Sequence, residues 1–106
     1  MDFYSIITEL KKTPPQYKMY VSQLSCLRGY PCDELIYDND NESIIISSSE
    51  YYKKHLTVDE VLSKLNKLNK IVSIKNILCN ENNSGSFNID KFIIYDDKQH
   101  CVCVAE

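Results

Sequence analysis

A pattern of apolar and polar residues occurs twice in this chain of 106 residues. The stretch "ELIYDNDNESIIIS", residues 34–47, is echoed by "FIIYDDKQHCVCVA", residues 92–105. In both, apolar residues lead into Tyr-Asp, a polar turn follows, and a run of β-branched and small residues ends the pattern. This arrangement is typical of a β-hairpin, and the two hairpins align 58 positions apart. The repeat constrains the chain to an architecture with two related halves.

An amphipathic helix is predicted ahead of each hairpin, at residues 2–12 and 57–70. Both segments place apolar residues at i, i+3, i+4 and i+7, which is one face of a helix. Asp2 is a suitable N-cap for the first helix, and Thr57 with Glu60 matches a capping box for the second. The apolar faces consist of Phe3, Ile6, Ile7 and Leu10 in the first helix, and Val58, Val61, Leu62, Leu65 and Leu68 in the second.

A strand is predicted between each helix and its hairpin. Tyr17, Met19 and Val21 occupy alternate positions. Val72 and Ile74 also alternate, and they stand 55 positions after Tyr17 and Met19. This period of two is typical of a strand with one buried face. Each half therefore predicts the order helix, strand, loop, strand, turn, strand.

We predict one α+β domain made of two tandem αβββ-like halves, with two amphipathic helices and six strands in a mainly antiparallel sheet. The repeat spans residues 1–48 and 56–106, joined by a linker at 49–55. The two units are expected to share one core, because a unit of about 50 residues buries little surface alone. The predicted core residues are Phe3, Ile6, Ile7, Leu10, Met19, Val21, Ile36, Ile44, Ile46, Val58, Val61, Leu62, Leu65, Ile74, Ile94, Val102 and Val104.

The composition is that of an ordinary globular domain, with 43% hydrophobic and 25% charged residues. No apolar run approaches the ~20 residues of a membrane span, and the first residues lack the basic and apolar regions of a signal peptide. We therefore expect a cytoplasmic protein with no membrane partner. The net charge of −3 disfavours binding to duplex nucleic acid, which requires a basic face.

The stretches "LTVDEVLSKLNKLN" and "YSIITELKKTPPQYKMYV" contain the two predicted helices. They resemble the opening of a loose group of small phage and mobile-element proteins, in which a TV-x-E-L-x-x-x-L helix precedes a short extended segment and a β-hairpin. The resemblance implies a phage-like origin and carries over no catalytic residue. The abundance of Ile, Asn, Lys and Tyr is typical of AT-rich coding sequences, as in a low-GC bacterium, its phages or a large DNA virus.

Neither a metal nor a cofactor is expected. None of the five cysteines belongs to a CxxC pair. The acidic turns at 38–42 and 95–97 lack the glycine and the terminal glutamate of a calcium loop. His55 and His100 have no motif partner and are expected to be exposed to solvent. The cysteines expected to be small buried apolar residues are Cys79, Cys101 and Cys103.

Two segments combine aromatic and basic residues in a way that suits a contact surface. Such a mixture can anchor a protein interface, or stack on bases and contact phosphate. Alternatively, the tyrosines between the halves pack on the edge of the sheet. The candidate binding residues are Tyr51, Tyr52, Lys53 and Lys54 in the segment 47–56, and Arg28 and Tyr30 in the loop 24–30.

The favoured functional hypothesis is a non-enzymatic phage or mobile-element protein that binds and blocks a host protein. Anti-defence and host-takeover inhibitors, such as anti-CRISPR proteins, act in this way. No catalytic motif is present, so we do not expect an enzyme. One alternative is a small-molecule or nucleotide-sequestering binder, with Lys53, Lys54 and Arg28 as anion contacts. Another is an antitoxin-like immunity protein, which an isoelectric point of about 5.3 would suit.

The repeated apolar strands at 43–47 and 101–105 predict more apolar surface than two short helices cover. Uncovered apolar sheet usually marks an interface. The C-terminal strand is also expected to be an open edge. We therefore expect a homodimer built through the sheet, with Ile45 and Cys103 near the contact. In the alternative arrangement, the two halves fold face to face and bury these strands within one chain.

Overall fold

The computed structural model of the chain describes residues 1–23, 29–49, 54–81, 85–96 and 98–106. Within these ranges it contains two helices and eight strands, which confirms the predicted α+β class. Neither of these helices has the length and apolar character needed to cross a membrane. The helices are α1 (Phe3–Lys12) and α2 (Val58–Asn69), and the strands are β1 (Lys18–Ser22), β2 (Tyr30–Pro31), β3 (Glu34–Asp38), β4 (Ser43–Ser48), β5 (Asn76–Glu81), β6 (Ser86–Asn88), β7 (Lys91–Tyr95) and β8 (Cys101–Ala105).

The described strands form two four-stranded sheets, with the orders β2-β1-β8-β7 and β3-β4-β5-β6. The pairings β1–β8 and β4–β5 are parallel, and the others are antiparallel. The prediction of six strands misses β2 and β6, which are short and pair back onto β1 and β5. Each sheet takes two strands from residues 1–48 and two from 56–106. The halves therefore do not form separate tandem units.

The segments that precede the two helices make equivalent backbone contacts with the opposite half. The backbone nitrogen of Leu56 donates to the carbonyl of Cys32 at 2.9 Å, and the nitrogen of Met1 donates to the carbonyl of Ile89 at 3.0 Å. Each hydrogen bond joins a residue of one half to a residue of the other. These matched contacts agree with a pseudo-two-fold arrangement, while the duplication itself stays a prediction.

Both helices begin where their caps predict. The side chain of Asp2 caps α1, and Thr57 with Glu60 forms a complete capping box on α2. Each cap residue also forms a β-bridge with the opposite half, Asp2 with Asn76 and Thr57 with Lys18. The caps therefore fix the start of each helix against a strand of the other half.

The two hairpins are related by a different register from the one that their sequences predict. Ile36 on β3 lies opposite Ile45 on β4, whereas Ile93 on β7 lies opposite Cys103 on β8. The predicted shift of 58 positions correctly makes Ile45 equivalent to Cys103, and it matches Ile36 with Ile94. In the structure, the residue of β7 equivalent to Ile36 is Ile93, so this match is wrong by one residue. The cause is the turn, which has one residue more between β7 and β8 than between β3 and β4. A one-residue shift moves every side chain to the other face of a strand.

The strand predicted around Val72 and Ile74 begins later than expected. β5 starts at Asn76 and includes Cys79, which lies in a stretch predicted to be a loop. The buried alternation of β5 is carried by Ile77 and Cys79, which are out of phase with Val72 and Ile74 by one residue and are fully buried. Val72 and Ile74 lie in the connection from α2, where both contact the core. Pairing of β5 with β4, a contact distant in sequence, sets the position of the strand.

One cluster of buried side chains contains residues from both helices and both sheets. Two predicted core residues are wrong. Ile36 is 42% exposed because it lies on the face of β3 opposite Leu35 and Tyr37, which pack against the core. Ile94 is 37% exposed on the edge strand β7. Leu62 is only partly buried. The members of this cluster that the predicted core omits are Tyr17, Cys32, Leu56, Ile77 and Ile89, and also Cys79, which the sequence predicts separately as a buried cysteine.

β8 is not the open edge that the sequence predicts. It lies between β1 and β7, and all five of its residues are buried. Cys103 is therefore enclosed by its own chain, and Ile45 on β4 is half-buried. The homodimer stays a prediction, but an open edge at β8 no longer supports it.

Ile46→Ala is expected to destabilise the protein far more than Ile36→Ala, because Ile46 is fully buried on β4 and Ile36 is largely open on β3. Truncation of a buried isoleucine costs about 2–5 kcal/mol of unfolding free energy. Truncation of the exposed one should cost about 0.5–1 kcal/mol. Urea unfolding of the two variants and the unmutated protein measures both values. Equal losses would contradict the placement of β3 at the edge of its sheet.

Candidate functional site

A groove of about 470 Å³ lies between α2 and the beginning of β3. Its lining combines leucines with charged side chains from three separate segments. We call it the lysine groove. Its lining residues are Asp33, Glu34 and Leu35 at β3, Lys54 and Leu56 in the connection before α2, and Lys64, Lys67 and Leu68 on α2.

The α2 side of the lysine groove follows from helical periodicity. Lys64, Lys67 and Leu68 are separated by three and four positions, so they lie on one face of the helix. Leu65 on the adjoining face is fully buried and anchors α2 to the core. Leu68 is partly buried and packs against the same core. The helix therefore presents two lysines beside one apolar side chain.

The apolar part of the lysine groove is held by backbone pairing. Leu35 lies opposite Ile46 in the β3–β4 ladder and packs against the core. Leu56 is buried, and its backbone is bonded on both sides: its nitrogen donates to Cys32, and its carbonyl accepts from Met19 at 3.0 Å. These leucines are thus fixed in place before any partner arrives.

The three lysines of the lysine groove differ in their surroundings. Lys54 Nζ lies 2.5 Å from Glu60 Oε2. The hydrogen bond from Lys54, together with that from the backbone of Thr57, lowers the pKa of Glu60 to about 2. Lys64 and Lys67 are exposed and form no ion pair with any residue in the described ranges. Their charges are therefore available to a ligand.

The acidic residues of the lysine groove are partly engaged. Asp33 is buried, and its carboxylate accepts hydrogen bonds from the backbone nitrogen of Ser49 at 2.8 Å and from the Ser49 hydroxyl. Glu34 is half-buried at the start of β3. These hydrogen bonds satisfy the Asp33 carboxylate. Among the charged residues that line the groove, the exposed ones are Lys54, Lys64 and Lys67.

Of the predicted binding residues, Lys54 lines the lysine groove. Tyr30 is 45% exposed on β2 and is not among the lining residues. The residues Arg28, Tyr51, Tyr52 and Lys53 lie outside the described residues. The sequence analysis missed Lys64 and Lys67. The signal that could have found them is Leu68, an apolar residue one turn after the buried Leu65, because these lysines lie beside it on the helix.

A second polar cluster joins the start of β1 to the turn before β8. The hydroxyl of Tyr17 donates to Asp96 Oδ1 at 3.0 Å, and His100 Nδ1 lies 3.3 Å from the hydroxyl oxygen of Tyr17. Since Tyr17 has one hydroxyl proton, His100 acts as the donor in the second bond. Desolvation, with the adjacent Asp96 carboxylate, raises the pKa of Tyr17. We interpret this cluster as structural, because it holds the start of β1 against the turn before β8.

The expectation that both histidines are exposed to solvent is confirmed for His100 and wrong for His55. Besides the bond of His100 to Tyr17, His55 Nε2 lies 2.8 Å from the Met19 carbonyl. The His55 ring also packs edge-on against Tyr20, with the ring centroids 4.7 Å apart. His55 is half-buried, whereas His100 is exposed. Both side chains hold connections against the sheets.

The described cysteines are buried free thiols, as predicted for Cys79, Cys101 and Cys103. Burial raises the pKa of Cys32 and of Cys103 to about 12, so neither is a thiolate at neutral pH. Within the described ranges, no three His, Cys, Asp or Glu side chains lie close enough together to hold a metal ion. Cys26 lies outside the described residues.

No protein family model, curated protein or solved structure matches this chain.

The Glu60→Gln substitution is expected to remove a pH-dependent part of the stability. Glu60 has a pKa of about 2 in the folded protein against an ordinary value of 4.5. Its contribution is therefore present above about pH 4.5 and is lost as the pH falls toward about 2. Urea unfolding between pH 2 and pH 6 should show a difference between the unmutated protein and the variant that shrinks as the pH falls.

Lys54→Ala is the matched control for this experiment, because it removes the largest cause of the lowered pKa of Glu60 and leaves the carboxylate. It should weaken the same acid-dependent contribution. A difference between unmutated protein and Glu60→Gln that stays constant over this pH range would contradict the ion pair and the cap.

The buried thiols are expected to be unreactive until the protein unfolds. In a Cys26→Ser variant, the remaining four cysteines are all buried. At pH 8, a water-soluble disulfide reagent should label none of them within minutes in native buffer, and all of them at once in urea. Rapid labelling of any one thiol in native buffer would place that cysteine at the surface, and peptide mapping would identify it.

Proposed function

We propose that this chain is a non-enzymatic protein of a phage or mobile element that binds a host protein and blocks its working surface. The observation that carries the proposal is the lysine groove, in which Lys64 and Lys67 stand beside fixed leucines. A preformed apolar groove with a few charged groups at its border is typical of a recognition site. The resemblance of the helix and hairpin to phage and mobile-element proteins supports the proposed origin.

The occupant that fits this groove is a segment of a partner protein carrying both apolar and acidic side chains. The apolar side chains would cover Leu35, Leu56 and Leu68 and supply most of the affinity, at roughly 25 cal/mol per Å² of apolar surface. Carboxylates would pair with Lys64 and Lys67. Exposed ion pairs contribute only about 0.2–1 kcal/mol each, so the charges mainly select the partner.

A protein segment fits this site better than a nucleotide does. Phosphates are usually held by glycine-rich backbone, by arginine or by clustered lysines. Here Asp33 and Glu34 line the same groove as the lysines, and Lys54 is already paired with Glu60. A nucleotide would therefore meet two carboxylates, whereas a peptide can place its own charges away from them.

The same charges argue against an antitoxin-like role toward a basic toxin. Such a partner would need an acidic contact surface, and the exposed charges of this groove are the positive ones of Lys64 and Lys67. An acidic working surface on a host protein is complementary to these lysines. Anti-defence inhibition of the anti-CRISPR kind is one form of this activity.

The double variant Lys64→Ala/Lys67→Ala is expected to bind the host protein about 2- to 30-fold more weakly, as loss of two exposed ion pairs predicts. Immobilised protein is first used to isolate a partner from lysates of low-GC bacteria. Calorimetry with the purified partner then measures the affinity, and an assay of the partner's own activity measures the block. Unmutated protein should inhibit that activity at lower concentration than the variant.

The matched control is Lys11→Ala/Lys12→Ala, which removes two exposed lysines from the last turn of α1 and leaves the lysine groove intact. It should bind like the unmutated protein. Equal weakening by both double variants would attribute the effect to net charge alone and contradict the proposed site. So would a partner that binds without inhibition, or the absence of any retained partner.

A further inference from the structure

The outer face of the sheet β3-β4-β5-β6 carries a continuous row of apolar side chains. Ile44 and Ile77 belong to the core cluster, so Ile45 and Leu78, which follow them along their strands, point to the opposite face. In the ladders, Ile45 lies opposite Ile36 on one side and opposite Leu78 on the other. These three residues, Ile36, Ile45 and Leu78, cross three strands in register, and we call them the apolar row.

The apolar row is accessible to a partner. Ile36 is 42% exposed, and Ile45 and Leu78 are half-buried. Single exposed apolar side chains are common on protein surfaces, but a contiguous group of them usually marks an interface. The row therefore needs an explanation that the core of this chain does not supply.

The equivalent row of the other sheet has a different environment. It consists of Tyr20, Cys103 and Ile93, which lie opposite one another on β1, β8 and β7. Its central residue, Cys103, is fully buried, and the ring of Tyr20 packs edge-on against His55. The centre of the apolar row, Ile45, is instead only half-buried. This difference favours the face of β4 as a docking surface.

Polar side chains beside the apolar row separate acceptors from donors. Asp38, Ser43 and Asn76 form the next row of the same face, again in register across β3, β4 and β5. The hydrogen bond from the Asn41 side chain lowers the pKa of Asp38, so its carboxylate is charged at neutral pH. Asn76 is exposed, and its side-chain amide can donate. One side of the face thus accepts hydrogen bonds, and the other side can donate them.

We propose that a second copy of this chain packs on this face, about a two-fold axis that runs along β4. Such an axis places Ile45 against Ile45 of the other copy, and Ile36 of each copy against Leu78 of the other. It also brings the carboxylate of Asp38 opposite the amide of Asn76 of the other copy. The face is therefore complementary to itself, as an interface with two-fold symmetry requires.

The charges distinguish this axis from the other one that would stack the apolar rows. A two-fold axis along the row would bring Asp38 of one copy opposite Glu34 of the other, because these two residues lie at the two ends of the same face of β3. Two carboxylates in such a contact repel each other. An axis along β4 also keeps the strands of the two stacked sheets nearly aligned, as in other sheet-on-sheet packings.

The size of the face predicts a weak dimer. Four strands with a longest length of six residues present a surface of roughly 19 Å by 20 Å, from the ordinary spacing of strands and of residues along them. Stable interfaces typically bury about 800 Å² on each partner, and this face is at the low end of that range. We therefore expect a dimer that dissociates on dilution through the micromolar range.

The inference goes beyond the proposed function, because it concerns the opposite face of β3. Leu35 lines the lysine groove, whereas the next residue, Ile36, belongs to the apolar row. Successive side chains of a strand point to opposite faces, so the dimer leaves the groove of each copy accessible. One dimer would hold two partner molecules, or two sites of a single oligomeric partner, and gain affinity in the second case.

Sedimentation equilibrium tests the dimer with three proteins: the unmutated chain, Ile36→Lys and Ile94→Lys. The average mass of the unmutated chain should rise from 12.3 kDa to twice that value between about 1 µM and about 1 mM. Ile36→Lys places an ammonium group in the apolar contact and should weaken association at least about 10-fold. Ile94→Lys is the matched control, since Ile94 is 37% exposed on β7 of the other sheet, and it should associate like the unmutated chain.

Chemical cross-linking tests the direction of the axis. The variants Ile36→Cys and Leu78→Cys are prepared with Cys26→Ser, because the other native cysteines are buried. A short bis-maleimide should link a mixture of the two variants into dimers more efficiently than it links either variant alone. Circular dichroism melting establishes that each variant is folded, and the cross-linking result decides the question if Ile36→Lys is not.

Each contrary outcome overturns a stated part of the proposal. A mass of 12.3 kDa for the unmutated chain at about 1 mM overturns the dimer, and so leaves the face to a different partner. Association that Ile36→Lys and Ile94→Lys weaken equally, or that neither weakens, overturns the face. Cross-linking that is most efficient with Ile36→Cys alone overturns the axis along β4. None of these results bears on the lysine groove, which is tested by its own variants.

Discussion

Parallel pairing of β1 with β8, and of β4 with β5, holds the described strands in two sheets that each contain both halves of the chain. Neither pairing is local in sequence, and each places a strand of one half beside a strand of the other. The backbone contacts of Leu56 and Met1, which precede the helices, cross between the halves in the same way. Folding of one half alone would leave these central strands with unpaired backbone on one side, which is costly for buried groups.

The lysine groove depends on this exchange of strands. Leu56 is held between Cys32 and Met19, and from there the chain enters α2 at the capping box of Thr57. The direction of α2, and with it the position of Lys64, is therefore set by contacts made with the first half. The backbone that carries this surface is held by the same hydrogen bonds that hold the fold.

Local signals in the sequence predict the helices well and the contacts between distant segments poorly. The spacing of Phe3, Ile6 and Leu10, with Asp2 as a cap, is enough to define α1, since all these residues lie within three turns.

The match between Ile36 and Ile94 is wrong because one additional turn residue shifts the register, and turn length does not change the apolar pattern. β5 is displaced for a related reason, as its pairing partner on β4 is distant in sequence. The groove unites three segments, so only Lys54 could be named in advance. The repeated hairpin pattern in the sequence nonetheless corresponds to two hairpins in the structure, β3–β4 and β7–β8.

The placement of β8 between β1 and β7 has a consequence for biosynthesis. β1 emerges from the ribosome long before its parallel neighbour has been translated, and contacts that close such a long loop form slowly. Until then, Met19 and Val21, which are fully buried in the finished protein, have no strand to cover one side of β1. The nascent chain thus carries an apolar strand that invites association with other chains, and chaperones that bind such segments would act before β8 is released.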